Sequence, residues 1–476
     1  MSAARRVLRV VLIVGILGAM TAVALAATAD WGTAIEVPGT AALNTGGAAG
    51  VGAVSCATAG NCAAAGSITG GVFVVNEKKG VWGSAIKVRI GRVAGLFTMS
   101  CPAAGSCAAG GQYDDRSYNS QAFLVNKRHG VWGKAIRVPG TKHLNRGGQA
   151  WVSEVSCAKP GFCSAGGSYA DGRSSCGDDG ASDCFQAFVV NETRGVWRTA
   201  IEAPGTARLN RTGTASVDTI SCWSAGNCIA AGTYGNRPYS EFTTLPFVMR
   251  EKHGAWGKAV RVRLSAALLA DGEIGIGEIS CATARSCAAI GYIHDFGGGA
   301  EPFLVTEKNG IWGKGIPVPG LDALFHGAAE ASLDAISCPT ARSCTAGGTY
   351  TDDSGHDQAF LVTETNGVWG KAFDVPGFAT LNTGGLAGLY SISCAAAGSC
   401  AAAGYYADGS GHFQAFVVDE TNGVWNTAIE VPGTAALNEG GHAEVAGISC
   451  AAAGSCVAGG FYKDGNGKTQ AFVTSP

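Results

Sequence analysis

The sequence predicts an all-β protein, an eight-bladed β-propeller of four-stranded antiparallel blades, and three observations carry the prediction. A pair of cysteines with five residues between them recurs eight times along the 476 residues. Each repeat holds four extended runs divided by turn residues, and none shows a helical period over a useful length. The segment Trp31-Gly-Thr-Ala-Ile-Glu-Val-Pro-Gly39 nearly copies Trp425-Asn-Thr-Ala-Ile-Glu-Val-Pro-Gly433, while the chain stops at Gln470-Ala-Phe-Val473, one strand short of a full repeat. The strand missing at the C-terminus is therefore expected from the N-terminus. Such a ring has no free edges, whereas an open array needs atypical capping repeats.

The cysteine pairs are Cys56/Cys62, Cys101/Cys107, Cys157/Cys163, Cys222/Cys228, Cys281/Cys287, Cys338/Cys344, Cys394/Cys400 and Cys450/Cys456. Cys176 and Cys184 fall outside the series and are expected to pair with each other, leaving none over. An even count in a secreted chain reads as a disulfide framework. Zinc is the rival reading, but zinc pairs usually sit two to four residues apart, and the eight His do not follow the repeat. Each staple is expected to close one hairpin between the innermost strand and the next.

Blade seven, Leu389 to Asn438, shows the unit. Ser391-Ile392-Ser393 leads into Cys394, and Ala395 to Ser399 turns into Cys400. Ala401 to Tyr406 is a second strand, followed by the turn residues Ala407-Asp408-Gly409-Ser410-Gly411. Gln414 to Val418 is a third, and Asn422-Gly423 a strong hairpin signal. The fourth strand is expected to run from Val424-Trp425 through Ile429 and Val431, with Pro432-Gly433 as its stop. One Trp per blade at this place (Trp31, Trp82, Trp132, Trp197, Trp256, Trp312, Trp369, Trp425) reads as packing between neighbouring sheets rather than as a platform for sugars. Trp151 and Trp223 depart from the repeat, and Trp223 is expected to be exposed.

Composition agrees with this fold. The chain has 73 Gly, 46% hydrophobic and only 15% charged residues, which suits short strands and many tight turns and excludes a disordered chain. Residues 1–26 read as a signal peptide: Arg5, Arg6 and Arg9, an apolar run from Val10 to Leu25, then Ala24-Leu25-Ala26 as a cleavage site. An uncleaved anchor is the alternative. Residues 27–476 then form one propeller domain, expected to be monomeric and extracellular. Cleavage removes three Arg and no acid, which takes the formal charge from -2 to -5. That balance gives no reason to expect a nucleic-acid partner, or a membrane partner after cleavage.

The pattern Ser-Cys-x5-Cys-Ala-Ala-Gly, Tyr-x-Asp-x-x-Gly, Gln-Ala-Phe-Val-Val and Asn-Gly-Val-Trp-Gly-x-Ala-Ile-x-Val-Pro-Gly resembles uncharacterised secreted repeat proteins of high-GC Gram-positive bacteria. The resemblance covers the whole mature chain. It implies a propeller loosely similar to the kelch and galactose-oxidase-like group, and it implies no activity.

Function is expected on the face opposite the staples, where the Tyr-x-Asp loops and the Pro-Gly-Thr-x-x-Leu-Asn-x-Gly-Gly loops lie. Two neighbouring blades break the repeat there. Blade three inserts Ser168 to Phe185, with Asp178, Asp179 and Asp183 inside the Cys176/Cys184 loop, and blade four inserts Tyr234 to Pro246, with Arg237, Tyr239, Glu241 and Phe242. The acidic loop offers oxygens to Ca²⁺, but it lacks a regular Asp-x-Asp-x-Asp-Gly ladder, and no cofactor is expected. Asp171, Asp352, Asp408 and Asp464 read as turn formers. Glu154, Asp218, Glu278 and Asp334 stand just before the cysteines on inner strands and are candidates for the central channel. The Arg frame of a sialidase, the adjacent cysteines of quinone-dependent dehydrogenases, a Ser-His-Asp frame and a phosphate loop are not seen. The reading is a secreted, non-catalytic binding or scaffolding propeller for an extracellular glycan or protein. The alternative is a polysaccharide hydrolase or lyase using the channel carboxylates.

Overall fold

The computed structural model describes residues 31–173, 184–236, 244–268, 272–295, 299–324 and 330–476. Residues 1–26, Cys176, Asp178, Asp179, Asp183, Arg237, Tyr239, Glu241 and Phe242 lie outside the described residues.

Eight antiparallel sheets follow one another along the chain. Blade 1 runs from its innermost strand Ala49–Thr58 through Asn61–Ile68 and Gly71–Lys78 to the outermost pieces Val81–Trp82 and Ile86–Val88. The innermost strands touch in a closed cycle, each packing on the next and that of blade 8, Ala443–Ala452, on that of blade 1. Blade 8 is completed from the other end of the chain: Ile35 pairs with Val473 and Glu36 with Phe472. Asn44 adds a bond to Gln470 at 2.9 Å. The ring therefore closes as the sequence expects.

The outermost strand is shorter than expected. In blade 7 it is two pieces, Val424–Trp425 and Ile429–Glu430, both paired to Phe413–Thr421. The chain leaves the sheet between them because the Ala428 amide bonds the Pro376 carbonyl of blade 6 at 2.8 Å. The same Ala-to-Pro bond recurs at Ala34, Ala85, Ala200, Ala259 and Ala372. The Pro-Gly stop is thus also a link between blades. After it, Gly433 takes φ 87°, a left-handed conformation that Gly adopts without steric cost, and Thr434–Leu437 makes a single helical turn absent from the sequence reading.

The core lies between the sheets. The Phe of each Gln-Ala-Phe-Val-Val strand or its counterpart (Phe73, Phe123, Phe188, Phe247, Phe303, Phe360, Phe416, Phe472) is wholly buried. The repeat Trp are buried or half-buried, and five donate Nε1–H to the preceding blade, as Trp197 does to Asn126 Oδ1 at 2.9 Å. Packing between sheets is their role.

Eight disulfides close the hairpins between the two inner strands: Cys56–Cys62, Cys101–Cys107, Cys157–Cys163, Cys222–Cys228, Cys281–Cys287, Cys338–Cys344, Cys394–Cys400 and Cys450–Cys456. Cys184 is also disulfide-bonded, and among the described residues no cysteine is free. The zinc alternative is thereby excluded at the eight pairs, and the framework belongs to an oxidising compartment. Among the described residues no helix is long and apolar enough to cross a membrane.

The staples have a further part that the sequence reading did not assign. The second cysteine of every pair (Cys62, Cys107, Cys163, Cys228, Cys287, Cys344, Cys400 and Cys456) is buried, as are Cys101 and Cys338. These sulfurs do not form an accessible site. The second cysteine opens a strand whose next residues, such as Ala63 and Ala64 after Cys62, are themselves buried on both faces by the neighbouring sheets. A disulfide there adds apolar packing to the constraint it places on the hairpin.

The Ser before each first cysteine has a part the sequence reading did not assign. Its hydroxyl accepts the cysteine N–H of the next blade: Cys101 to Ser55, Cys157 to Ser100, Cys222 to Ser156, Cys281 to Ser221, Cys338 to Ser280, Cys394 to Ser337, Cys450 to Ser393 and Cys56 to Ser449. All eight bonds measure 2.9–3.0 Å, with Ser449 to Cys56 joining the last blade to the first. A belt of hydrogen bonds therefore encircles the axis just above the staples.

Candidate functional site

Every innermost strand carries a β-bulge three to four residues before its cysteine, as between Val51 and Ala53 or Leu389 and Ser391. The Gly four residues after the second cysteine lies opposite, and a Cβ on Gly404 would collide with the Gly388 carbonyl. A bulge re-aims the side chain of its extra residue. Here that residue is Gly52, Phe97, Ser153, Asp218, Gly277, Asp334, Tyr390 or Ala446 in turn around the channel.

The next residue reaches sideways to the following blade. Thr98 Oγ1 accepts from Val155 N at 3.1 Å, Thr219 Oγ1 from Ile279 N at 3.2 Å and Ser391 Oγ from Ile448 N at 3.1 Å. Glu278 takes the same place in blade 5, its Oε2 accepting from Ile336 N at 2.8 Å. Glu154, in blade 3, accepts the Thr98 hydroxyl at 2.6 Å and its neighbour Val155 N at 3.0 Å. The four sequence candidates therefore divide. Asp218 and Asp334 sit on the bulges, while Glu154 and Glu278 are built into a second belt of inter-blade bonds.

All four lie on one arc, blades 3 to 6, and burial raises the pKa of each. Burial pushes Glu154 up to about 7, against hydrogen bonds from Thr98 and Val155. Burial takes Asp218 to about 6, opposed by Ser216 and Thr233. Glu278 reaches about 8 through burial, with the Ile336 N–H opposing and the charge of Glu154 adding to the rise. Asp334 is raised by burial against a 2.7 Å bond from Ser332. The innermost strands add Glu273 and Glu444, and before their cysteines they contain no Lys or Arg. The channel wall is therefore acidic, with no Lys or Arg in this part of the strands to offset it.

Aromatic rings crowd the end of the channel away from the staples. Tyr390, 43% exposed on its bulge, packs on Tyr405 with ring centroids 5.4 Å apart. Tyr405 continues to Phe413 at 5.3 Å, Phe413 to His442 at 4.8 Å and His442 to Phe461 at 5.4 Å. His442 Nε2 lies 2.6 Å from Glu444 Oε1. The Tyr405 ring covers Gly388 and the Tyr292 ring covers Gly275, so closely that a Cβ on either Gly would strike it. Sequence reading missed this group. Its signal is a large aromatic on the second strand paired with Gly on the first, as Tyr405 with Gly388 and Tyr292 with Gly275.

Other candidates resolve differently. Asp408 Oδ1 accepts the amides of Ser410 and His412, while Oδ2 accepts the Gln414 side chain at 2.9 Å. Gln414 in turn accepts from Asn438, and the same Asp–Gln pair recurs at Asp171, Asp352 and Asp464. These Asp are turn formers that tie the two loop sets together. Trp223 is half-buried rather than exposed, because the Arg250 guanidinium lies over its ring at 5.4 Å. Trp151 packs on Phe185 at 5.3 Å.

No protein-family model matches the sequence, and no curated protein matches it. Among solved structures the chain is similar to an ulvan lyase, a polysaccharide lyase bound to -[GlcA(1-4)Rha3S]-, at 9% identity and TM-score 0.46, over 78% of this chain and 90% of that one. It is similar to a prolyl endopeptidase at 13% identity and TM-score 0.43, over 92% and 57%. It is also similar to the Trypanosoma rangeli sialidase at 10% identity and TM-score 0.37, over 66% of this chain and 53% of the sialidase, about half the latter's length. None of these likenesses brings a functional residue to this chain.

Proposed function

We propose that this chain is a secreted, non-catalytic binding propeller that holds an extracellular glycan at the aromatic mouth of its central channel. The observation that carries the reading is the run of rings from Tyr390 through Tyr405, Phe413 and His442 to Phe461 beside the acidic wall. Aromatic faces take the apolar faces of sugar rings, and carboxylates accept their hydroxyls. An acidic wall favours neutral or amino sugars over uronates, because like charges repel there. In this reading Glu154 and Glu278 serve the belt between blades, and Asp218 and Asp334 are the acids left for a ligand. Secretion is supported by the disulfide framework and the N-terminal pattern of the sequence.

The test is binding of the mature protein to a panel of neutral, amino and acidic oligosaccharides, with Tyr390→Ala and Tyr405→Ala as variants. Neutral or amino sugars should bind and both variants should weaken them about tenfold, equivalent to 1.4 kcal/mol. Capture of acidic sugars alone, or of a protein with no glycan, would sink the reading.

The second reading is a polysaccharide hydrolase or lyase. It is favoured by the raised acids of neighbouring inner strands: Glu278, at about 8, is a proton donor at neutral pH, and Asp218, at about 6, is ionised there. Turnover on a polysaccharide panel that vanishes in Glu278→Gln and Asp218→Asn would establish it over the first.

A further inference from the structure

The outer rim carries a groove between one blade's outermost strand and the Trp hairpin of the next at three places. Between blades 2 and 3 its volume is about 340 Å³, and between blades 5 and 6 about 440 Å³. Between blades 4 and 5 it opens to about 670 Å³ and reaches the buried side chains of Ile229, Val248 and Val262. That volume is in the range of ~300–1,000 Å³ typical of ligand clefts.

Two local departures from the repeat widen it. Elsewhere Asn126, Asn191 or Thr306 receives the Nε1–H of the next blade's Trp. Blade 4 has Arg250 at that place, a side chain without an acceptor. Arg250 turns instead to Glu307, to the Ala284 carbonyl at 2.7 Å and over the Trp223 ring. In addition, Val262-Arg263-Leu264 stands where most other blades carry Val-Pro-Gly.

The lining is basic and aromatic. Lys252, Lys258, Arg261 and Arg263 join Trp256 and Trp312 in it. None of these four cations is in an ion pair among the described residues. The one carboxylate of the lining, Glu307, is 1% exposed and paired with Arg250, so it sets no free negative charge against the four cations. The cations call for an anion. The two Trp suit a ring with an apolar face.

We infer that this cleft is a second binding site, independent of the channel, for a sugar carrying sulfate or carboxylate groups. The anionic group meets Lys258 and Arg263, and a ring lies against the Trp walls. The acidic channel and the basic rim thus select sugars of opposite charge.

Dextran sulfate is the probe, with dextran as the uncharged control and polyglutamate as an anion without sugar, all measured by calorimetry at low salt. Dextran sulfate should bind best, and Lys258→Ala/Arg263→Ala should weaken it about tenfold with an unchanged melting temperature. Lys134→Ala/Lys314→Ala, in the neighbouring grooves, and Tyr390→Ala, in the channel, should change the affinity less than about twofold. Equal binding of dextran or polyglutamate overturns the inference, as does an equal loss in the Lys134/Lys314 control.

Discussion

Asn126 shows how much one side chain does in this ring. Its Nδ2 donates to Glu192 and its Oδ1 accepts from Trp197 Nε1, both on the next blade. Asn191 repeats the arrangement with Glu251 and Trp256. The Trp periodicity was plain in the sequence. The buried Glu beside it, present in six blades (Glu77, Glu192, Glu251, Glu307, Glu364, Glu420), reads there as an ordinary charged strand end. Only its 1–8% exposure reveals a buried acid that needs donors. Removing one such donor leaves two buried groups short of partners. Asn126→Ala should therefore lower stability by about 1–3 kcal/mol, read from chemical denaturation. No loss would show that water replaces the amide.

At the scale of the element, the inner hairpin is where sequence and chemistry agree most closely. Small residues between the two cysteines make a tight turn, and the cross-strand pair Cys394–Cys400 faces itself directly. The chain-entropy relation for so short a loop gives about 2.4 kcal/mol per staple, so Cys394→Ala/Cys400→Ala should lower stability by at most that amount. Gly404→Ala acts differently, since its Cβ meets the Gly388 carbonyl in the native state and should cost about 1–3 kcal/mol. Denaturant melts of the two variants check both, and an unaffected Gly404→Ala would mean that the bulge relaxes. The expected continuous fourth strand failed for a non-local reason. Its central amide bonds a proline carbonyl one blade earlier, a partner that strand periodicity cannot display.

For the whole molecule, pH is the informative variable. Glu154, Asp218 and Glu278 are raised to about 7, 6 and 8 from ordinary values near 4. For a carboxyl raised by folding, the unfolded chain gives up its proton first. Its stabilising contribution is full below pH 4 and is lost as pH rises through 6 to 8. The turn acids work the other way. Asp464 is held low by the Gln470 amide and the Lys468 and Asn466 N–H groups, against slight desolvation, so its contribution is lost only in strong acid. The melting temperature should thus peak near pH 5 and fall toward pH 8, and Glu154→Gln/Glu278→Gln should flatten that fall. A flat wild-type profile, or an unchanged slope in the double variant, would contradict the assignment.

The sequence by itself determined the blade count, the staples and the closing strand. Each of these is written as a local pattern repeated eight times, and repetition makes a weak local signal strong. It also marked the four acids of the inner strands without separating their parts. The tertiary structure decided what lies between blades: the burial of the second cysteines, the belt of Ser hydroxyls, the division of Glu154 and Glu278 from Asp218 and Asp334, the aromatic mouth and the basic cleft at blades 4 and 5. The hydrogen-bonded features join residues some 55–65 positions apart, as Cys338 and Ser280 or Trp256 and Asn191 are. Their partners are set by how one sheet stacks on the next, and no period within a single blade records it.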